Sequence, residues 1–193
     1  MQIGVTGGIG SGKSLVCKIF NSMGIPIYEA DFRAKELTNK DEVVKEKILT
    51  TFGKKSFLNN RLNKVYLAQE VFNNTEKLKQ LNAIIHPAVA DDYDIWQSQF
   101  KNYKYVIKEA AILFESGSFK TCDKVILVDA PRNIRMKRVI QRDLVSEDEV
   151  EKRMNNQWSS EKKAELSDFI IMNDGSKALI PQVMDIHNKL MSI

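Results

Sequence analysis

Gly7–Gly8–Ile9–Gly10–Ser11–Gly12–Lys13–Ser14 is the stretch of this chain whose residue types most plainly do chemistry. Counted from Gly7, it matches the spacing G-x-x-x-x-G-K-[ST] at every fixed position. Its glycines let the backbone curl, so that successive N–H groups point into one anion-sized hollow. Leu15, Val16, Ile19 and Phe20 follow at helical spacing, so a helix starting here adds the positive end of its dipole. Lys13 supplies a point charge for β- and γ-phosphates, and the Ser14 hydroxyl is placed to ligate Mg²⁺. The spacing predicts a loop that holds the phosphates of a nucleotide.

Charged residues elsewhere extend the set. Asp31, in YEADFRAKEL, follows an apolar run; a carboxylate there accepts the proton of an attacking hydroxyl or holds the metal through water. The same residue type also caps helices. Arg33 is a phosphate contact or an exposed helical arginine. In APRNIRMKRVIQRD, Arg132, Arg135, Lys137, Arg138 and Arg142 crowd eleven residues that contain no acid. Arg135, Arg138 and Arg142 share a helix face at i, i+3 and i+7, an arrangement that repels itself until an anion arrives. Ser146 and Glu149 form a capping box opening a further helix. Arg153 and Gln157 then fall at i, i+4 as a second phosphate-facing pair. His86–Pro87 predicts a helix start with Pro87 at the first helical position. Glu109 and Glu115 flank an apolar AAILF segment, near metal or acceptor. Met136, Met154 and the Tyr93/Trp96 pair read as packing.

These residues need a scaffold. Short runs at Ile3–Thr6, Tyr105–Lys108, Val125–Asp129 and Phe169–Met172 suit the strands of a buried parallel sheet, with a further strand at 25–29. Helical stretches separate them, so the fold class is α/β, with ligands beyond the carboxyl ends of the strands. Two helical blocks exceed what strand crossovers need, one from about 33 to 100 and one from 133 to about 166. The first reads as a substrate-binding insert and the second as a lid that excludes water. The chain of 193 residues holds one domain with inserts. Its core is about 1–30, 104–132 and 167–193, with an acceptor insert about 31–103 and a lid about 133–166. A net charge of +4 with dispersed basic residues suits small anionic substrates and argues against a nucleic-acid binder. Cys17 and Cys122 lack metal-ligand spacing. No apolar run reaches membrane-spanning length, and the first strand starts at Met1–Gln2–Ile3; a cytoplasmic protein is expected.

Taken together, the chain resembles the dephospho-coenzyme A kinase family. The resemblance runs nearly end to end: TGGIGSGKS, EAD…RA at 29–34, FG at 52–53, NR at 60–61, VF at 71–72 and LNAIIHPAV at 81–89. It continues through LFE at 113–115, KRVIQRD at 137–143, Arg153…Gln157 and SDFIIMNDG at 167–175. The resemblance implies a P-loop NTPase-type parallel sheet and phosphorylation of the ribose 3′-hydroxyl of dephospho-CoA with ATP and Mg²⁺. It implies ATP binding by Gly8, Gly10, Ser11, Gly12, Lys13, Ser14 and Leu15, with adenine-side contacts at Asn173 and Gly175. Asp31, Lys13 and Arg142 would be catalytic, and Arg33, His86, Phe114, Glu115 and Arg153 would meet the acceptor. Small-molecule substrates, no nucleic acid, no membrane and a monomer or small homo-oligomer complete the expectation. Glu29 stands where the family commonly has Asp, Arg135 where it has Gln, and Glu109–Ala110–Ala111–Ile112 where it has Asp-x-Pro before Leu-Leu-Phe-Glu. A nucleoside monophosphate kinase is the nearest rival, set aside by HP and LFE. A GTPase switch is set aside because Asn39–Lys40–Asp41–Glu42 ends in Glu where guanine reading needs Asp. Basic residues without interleaved aromatic platforms set aside a nucleic-acid binder.

Overall fold

β-Branched and aliphatic runs build the centre of the molecule, seen in a computed structural model that describes residues 1–72 and 74–193, Phe72 without its side chain. The VF pair at 71–72 therefore lies partly outside the described residues. Strands β1 (Gln2–Thr6), β2 (Ile27–Glu29), β5 (Val106–Glu109), β6 (Lys124–Asp129) and β7 (Phe169–Met172) form one sheet in the order β2-β5-β1-β6-β7. Every pairing in it is parallel. The register sets Val5 beside Glu109 and Ile126, Glu29 beside Glu109, and Asp129 beside Met172. The carboxyl ends thus share one edge, with the loop after β1 at its middle. Each strand anticipated in the sequence is present within two residues of its expected bounds. Helices α1 (Lys13–Ser22) and α9 (Leu179–Ser192) cover a core of Ile3, Val5, Val16, Phe20, Ile107, Ile126, Val128, Ile171, Val183 and Leu190.

The chain divides into two compact units, one of Met1–Glu29 with Phe100–Ile193 and one of Ala30–Gln99. The second unit holds α2 (Ala30–Lys40), α3 (Glu42–Phe52), a hairpin of β3 (Phe57–Leu58) and β4 (Arg61–Leu62), α4 (Lys64–Phe72) and α5 (Thr75–Ser98). Val44, Ile48, Phe52 and Leu67 are its buried centre. Two readings of this stretch need correction. The hairpin falls inside the block read as helical from about 33 to 100, because Asn59 and Asn60 both take positive φ, 50° and 61°, the geometry a two-residue primed turn demands. Pro87 lies inside α5 and starts nothing. It removes one backbone donor, but Pro87 and Ala83, whose carbonyl loses its partner, are both exposed, so water can replace that bond.

The first unit also carries α6 (Arg132–Asp143), α7 (Glu147–Asn155) and α8 (Ser160–Glu165). Leu144, with φ 53°, ends α6 in the left-handed region. Ser146 caps α7 by accepting from the Glu149 amide at 3.3 Å. Val139, Val150 and Met154 bury the contact between these helices, and Ile9 of the glycine-rich loop packs against that cluster.

Candidate active site

The loop between β1 and α1 owes its shape to glycine at two positions above all. Gly10 has φ 80°, and a Cβ there would lie 2.5 Å from the Arg135 carbonyl oxygen; Gly12 has φ 99°, and its Cβ would lie 2.1 Å from Asn173 Nδ2. A side chain is excluded twice over at each, by conformation and by space. Gly12 then caps α1, accepting from the amides of Leu15 at 3.0 Å and Val16 at 3.2 Å. The amides ahead of these, in the helix's first turn, have no carbonyl within the helix to bond. That is the electrostatic basis of the anion hollow. Ser14 and Leu15 stand exposed at this helix start, whereas Ser11 is buried.

Lys13 is buried, with Nζ 3.1 Å from the Gly7 carbonyl, 3.4 Å from that of Gly8 and 4.0 Å from a Glu109 carboxylate oxygen. Its charge is therefore held inside the curl of the loop. Arg138 and Arg142 line a cavity of about 210 Å³ together with Gly10, Gly12, Lys13 and Ser14. Arg138 Nη1 also reaches the Gly10 carbonyl at 3.5 Å. Arg142 is exposed and grips Asp143, Nε to Oδ1 at 2.7 Å and Nη2 to Oδ2 at 3.0 Å. That bond holds the guanidinium above its ordinary pKa and the Asp143 carboxyl below its own. Arg153 Nη1 takes the same Asp143 Oδ2 at 3.1 Å. Arg135 is half-buried, its Nε donating to the Ala130 carbonyl at 2.9 Å, and burial lowers its pKa. The three arginines of one helix face are thus not equivalent: two border the cavity and one is tucked beneath the loop.

The remaining expected residues fall in several environments. Asp31 is exposed and is the second residue of α2, inside its first turn. It does not cap that helix. Arg33 forms a bidentate pair with Asp92. His86 lies half-buried on α5, and desolvation lowers its pKa. Phe114 is 2% exposed and stacks on Trp158, with ring planes 5° apart. Glu115 accepts from the Trp158 amide at 2.8 Å and pairs with Lys163, itself 1% exposed, at 2.9 Å. Asn173 donates Nδ2 to the Ser11 carbonyl at 2.8 Å, bracing the loop from β7's end. Gly175, with φ 90°, is exposed in the turn that follows. Gln157 corrects the expectation of a phosphate-facing pair. Its Oε1 accepts from the Ile9 amide at 2.8 Å, and its Nε2 donates to the Ala111 carbonyl at 3.2 Å. Sequence reasoning missed Asp92, Asp143 and Lys163, since an acid or lysine on a helix carries no spacing that names its partner. Among the described residues no group of three or more His, Cys, Asp or Glu side chains gathers as a metal cage.

Comparison with known proteins gives one answer. The dephospho-CoA kinase family profile matches residues 1–178. A dephospho-CoA kinase from Chlorobium chlorochromatii is 42% identical over 99% of this chain and 94% of its own length. A Thermus thermophilus crystal structure superposes with a TM-score of 0.89 at 30% identity, covering 98% of this chain and 96% of the other. A dephospho-CoA kinase structure from Campylobacter jejuni has a TM-score of 0.72 at 30% identity, covering 99% and 97%.

Proposed function

We propose a division of labour for this site on one premise: the chain belongs to the dephospho-CoA kinase family. It phosphorylates the ribose 3′-hydroxyl of dephospho-CoA at the expense of ATP, giving CoA and ADP, the last step of coenzyme A biosynthesis. The observation that carries the assignment of roles is one cavity lined by the loop residues Gly10, Gly12, Lys13 and Ser14 together with Arg138 and Arg142. Phosphoryl transfer leaves a protein little covalent chemistry to perform, so positioning and charge stabilisation supply the rate.

In this reading the loop amides and Lys13 hold the β- and γ-phosphates. Lys13 already sits in a buried, oxygen-rich setting, so its charge acts at low dielectric once phosphate oxygens take the place of the loop carbonyls. Arg142 meets the charge that spreads over the transferring group, its planar fork fixed in part by Asp143. Asp31, the second residue beyond β2, receives or orients the acceptor's hydroxyl proton. Arg33, His86, Phe114, Glu115 and Arg153 serve acceptor binding, Phe114 and Glu115 through the packing they impose. Asn173 and Gly175 shape the adenine side. One exposed hydroxyl, Ser14, at a helix start fits Mg²⁺ arriving with ATP, since that ion keeps its waters and takes few protein ligands. When bound, Mg²⁺ neutralises charge on the β- and γ-phosphates. No helix among the described residues is long and apolar enough to cross a membrane, and the reading is of a cytoplasmic enzyme, monomeric or a small homo-oligomer, acting on small molecules alone. The test is ADP release measured with dephospho-CoA, AMP and adenosine as acceptors. Turnover with dephospho-CoA far above the other two is expected; equal turnover with AMP would overturn the acceptor assignment.

A further inference from the structure

Ile9 is the one residue between Gly7 and Lys13 with a large apolar side chain, and it is held from the lid at two points. Its side chain packs on Val139, Val150 and Met154, the buried seam between α6 and α7. Its amide donates to Gln157 Oε1 at 2.8 Å. The loop's other external braces, Arg138 on the Gly10 carbonyl and Asn173 on the Ser11 carbonyl, take oxygens. Gln157 takes an N–H, the kind of group the anion hollow is made of. It therefore occupies the Ile9 amide and leaves the anion hollow to the loop's other N–H groups.

Gln157 is itself fixed. It follows the last turn of α7, its amide bonded to the Met154 carbonyl at 3.1 Å. Its Nε2 donates to the Ala111 carbonyl at 3.2 Å, which also accepts from Lys163 at 3.3 Å. The next residue's amide is held by Glu115 at 2.8 Å. The partners leave its side-chain amide no freedom to flip: oxygen must face the Ile9 donor, and nitrogen the Ala111 acceptor. A glutamate of equal length would serve Ile9 and set an acceptor against Ala111. A leucine would serve neither.

We propose that Gln157 is a positioning residue for triphosphate binding, the joint through which the lid helices α6 and α7 hold the phosphate loop in its anion-binding shape. The inference rests on the kinase reading above and adds to it a determinant of ATP affinity outside the loop. Without Gln157 the Ile9 amide is released, and the neighbouring amides lose their fixed directions. The nucleotide then binds a loop that must first be ordered. Acceptor binding depends on other residues and is spared.

The experiment combines amide exchange, followed by NMR, with calorimetry on the full chain. In the nucleotide-free wild type the Ile9 amide is expected to exchange at least about tenfold more slowly than an open loop amide. Gln157→Leu should lose that protection and weaken ATP binding by about tenfold, with dephospho-CoA affinity within about twofold of wild type. Gln157→Glu should keep Ile9 protected, because the acceptor oxygen remains. An unprotected Ile9 amide in the wild type overturns the proposal without any variant, as does an unprotected one in Gln157→Glu. A folded Gln157→Leu with wild-type ATP affinity overturns it too, and so does an equal loss for both substrates, which would mark a general structural defect. Wild-type protein that fails to phosphorylate dephospho-CoA would defeat the kinase reading, while leaving the exchange result to judge the brace.

Discussion

The phosphate loop and the helical insert Ala30–Gln99 solve opposite problems with the same chain chemistry. The loop is crowded: Gly8, Gly10 and Gly12 each have a side chain or backbone atom within 3 Å of where a Cβ would stand. Side chains from α6, from the residue after β7 and from the residues after α7 bond its backbone. The insert is looser. Its centre is a small group of buried residues, and Val43, Leu58, Val65 and Ile95 are each at least 60% exposed. A crowded loop keeps its amides aimed at a ligand that differs little between nucleotides, whereas at Gly53 in the insert nothing lies within 4 Å of where a Cβ would stand. Precision is concentrated where charge must be stabilised.

The sharpest way to break that contrast is Lys13→Ala. We expect the fold to persist and turnover to fall about a thousandfold, since the buried charge acts on the migrating group. Far-UV circular dichroism beside steady-state ADP release checks both halves, and near-normal turnover would remove the loop from the chemistry. Asp31→Asn probes the other unit. It should lower turnover by about a hundredfold while calorimetry shows acceptor affinity little changed; Glu115→Gln serves as the companion. A crippled Glu115→Gln beside a normal Asp31→Asn would move the role to Glu115.

A pair of glycine substitutions sharpens the comparison further. Gly12 and Gly53 both have positive φ, 99° and 81°, but only Gly12 has a neighbour within 4 Å of the missing Cβ. Alanine at Gly53 should cost about 1–3 kcal/mol of stability through backbone strain alone, with the kinetics of the folded enzyme unchanged. Alanine at Gly12 should instead weaken ATP binding by about tenfold or more, because strain and collision with Asn173 both displace the loop. Chemical denaturation and calorimetry on the two variants separate these outcomes. Equal effects on ATP binding would erase the distinction between the regions.

The smallest effect expected is a pH dependence of stability. Burial holds His86 below its ordinary value of 6.5, so the unfolded chain takes up a proton before the folded one does. The stability that neutral His86 contributes is fully present above about pH 6.5 and is lost as pH falls through the lowered folded value. His86→Gln should flatten the denaturation midpoint between pH 7 and 5 relative to wild type. An unchanged slope would mean that other groups govern acid stability.

Local sequence determined much of this protein because the loop's requirements are local. G-x-x-x-x-G-K-S between a short β-branched run and a helical pattern can bend, start a helix and present amides only in one way, so loop, helix and parallel sheet were all legible from residue types. The Ser146 half of the capping box, its hydroxyl accepting from the Glu149 amide, was legible for the same reason. Where partners lie far apart in the chain, the sequence was silent. Nothing in the order of residues says that Gln157 bonds Ile9, that Asn173 bonds Ser11, or that Asp143 holds two arginines, because each contact exists only once strands and helices are stacked. Pro87 and the Asn59–Asn60 turn misled in opposite senses: a proline tolerated in mid-helix at an exposed position, and a turn hidden inside a helical pattern. Periodicity reports which face is apolar, but tertiary packing decides which of several locally allowed backbones is kept.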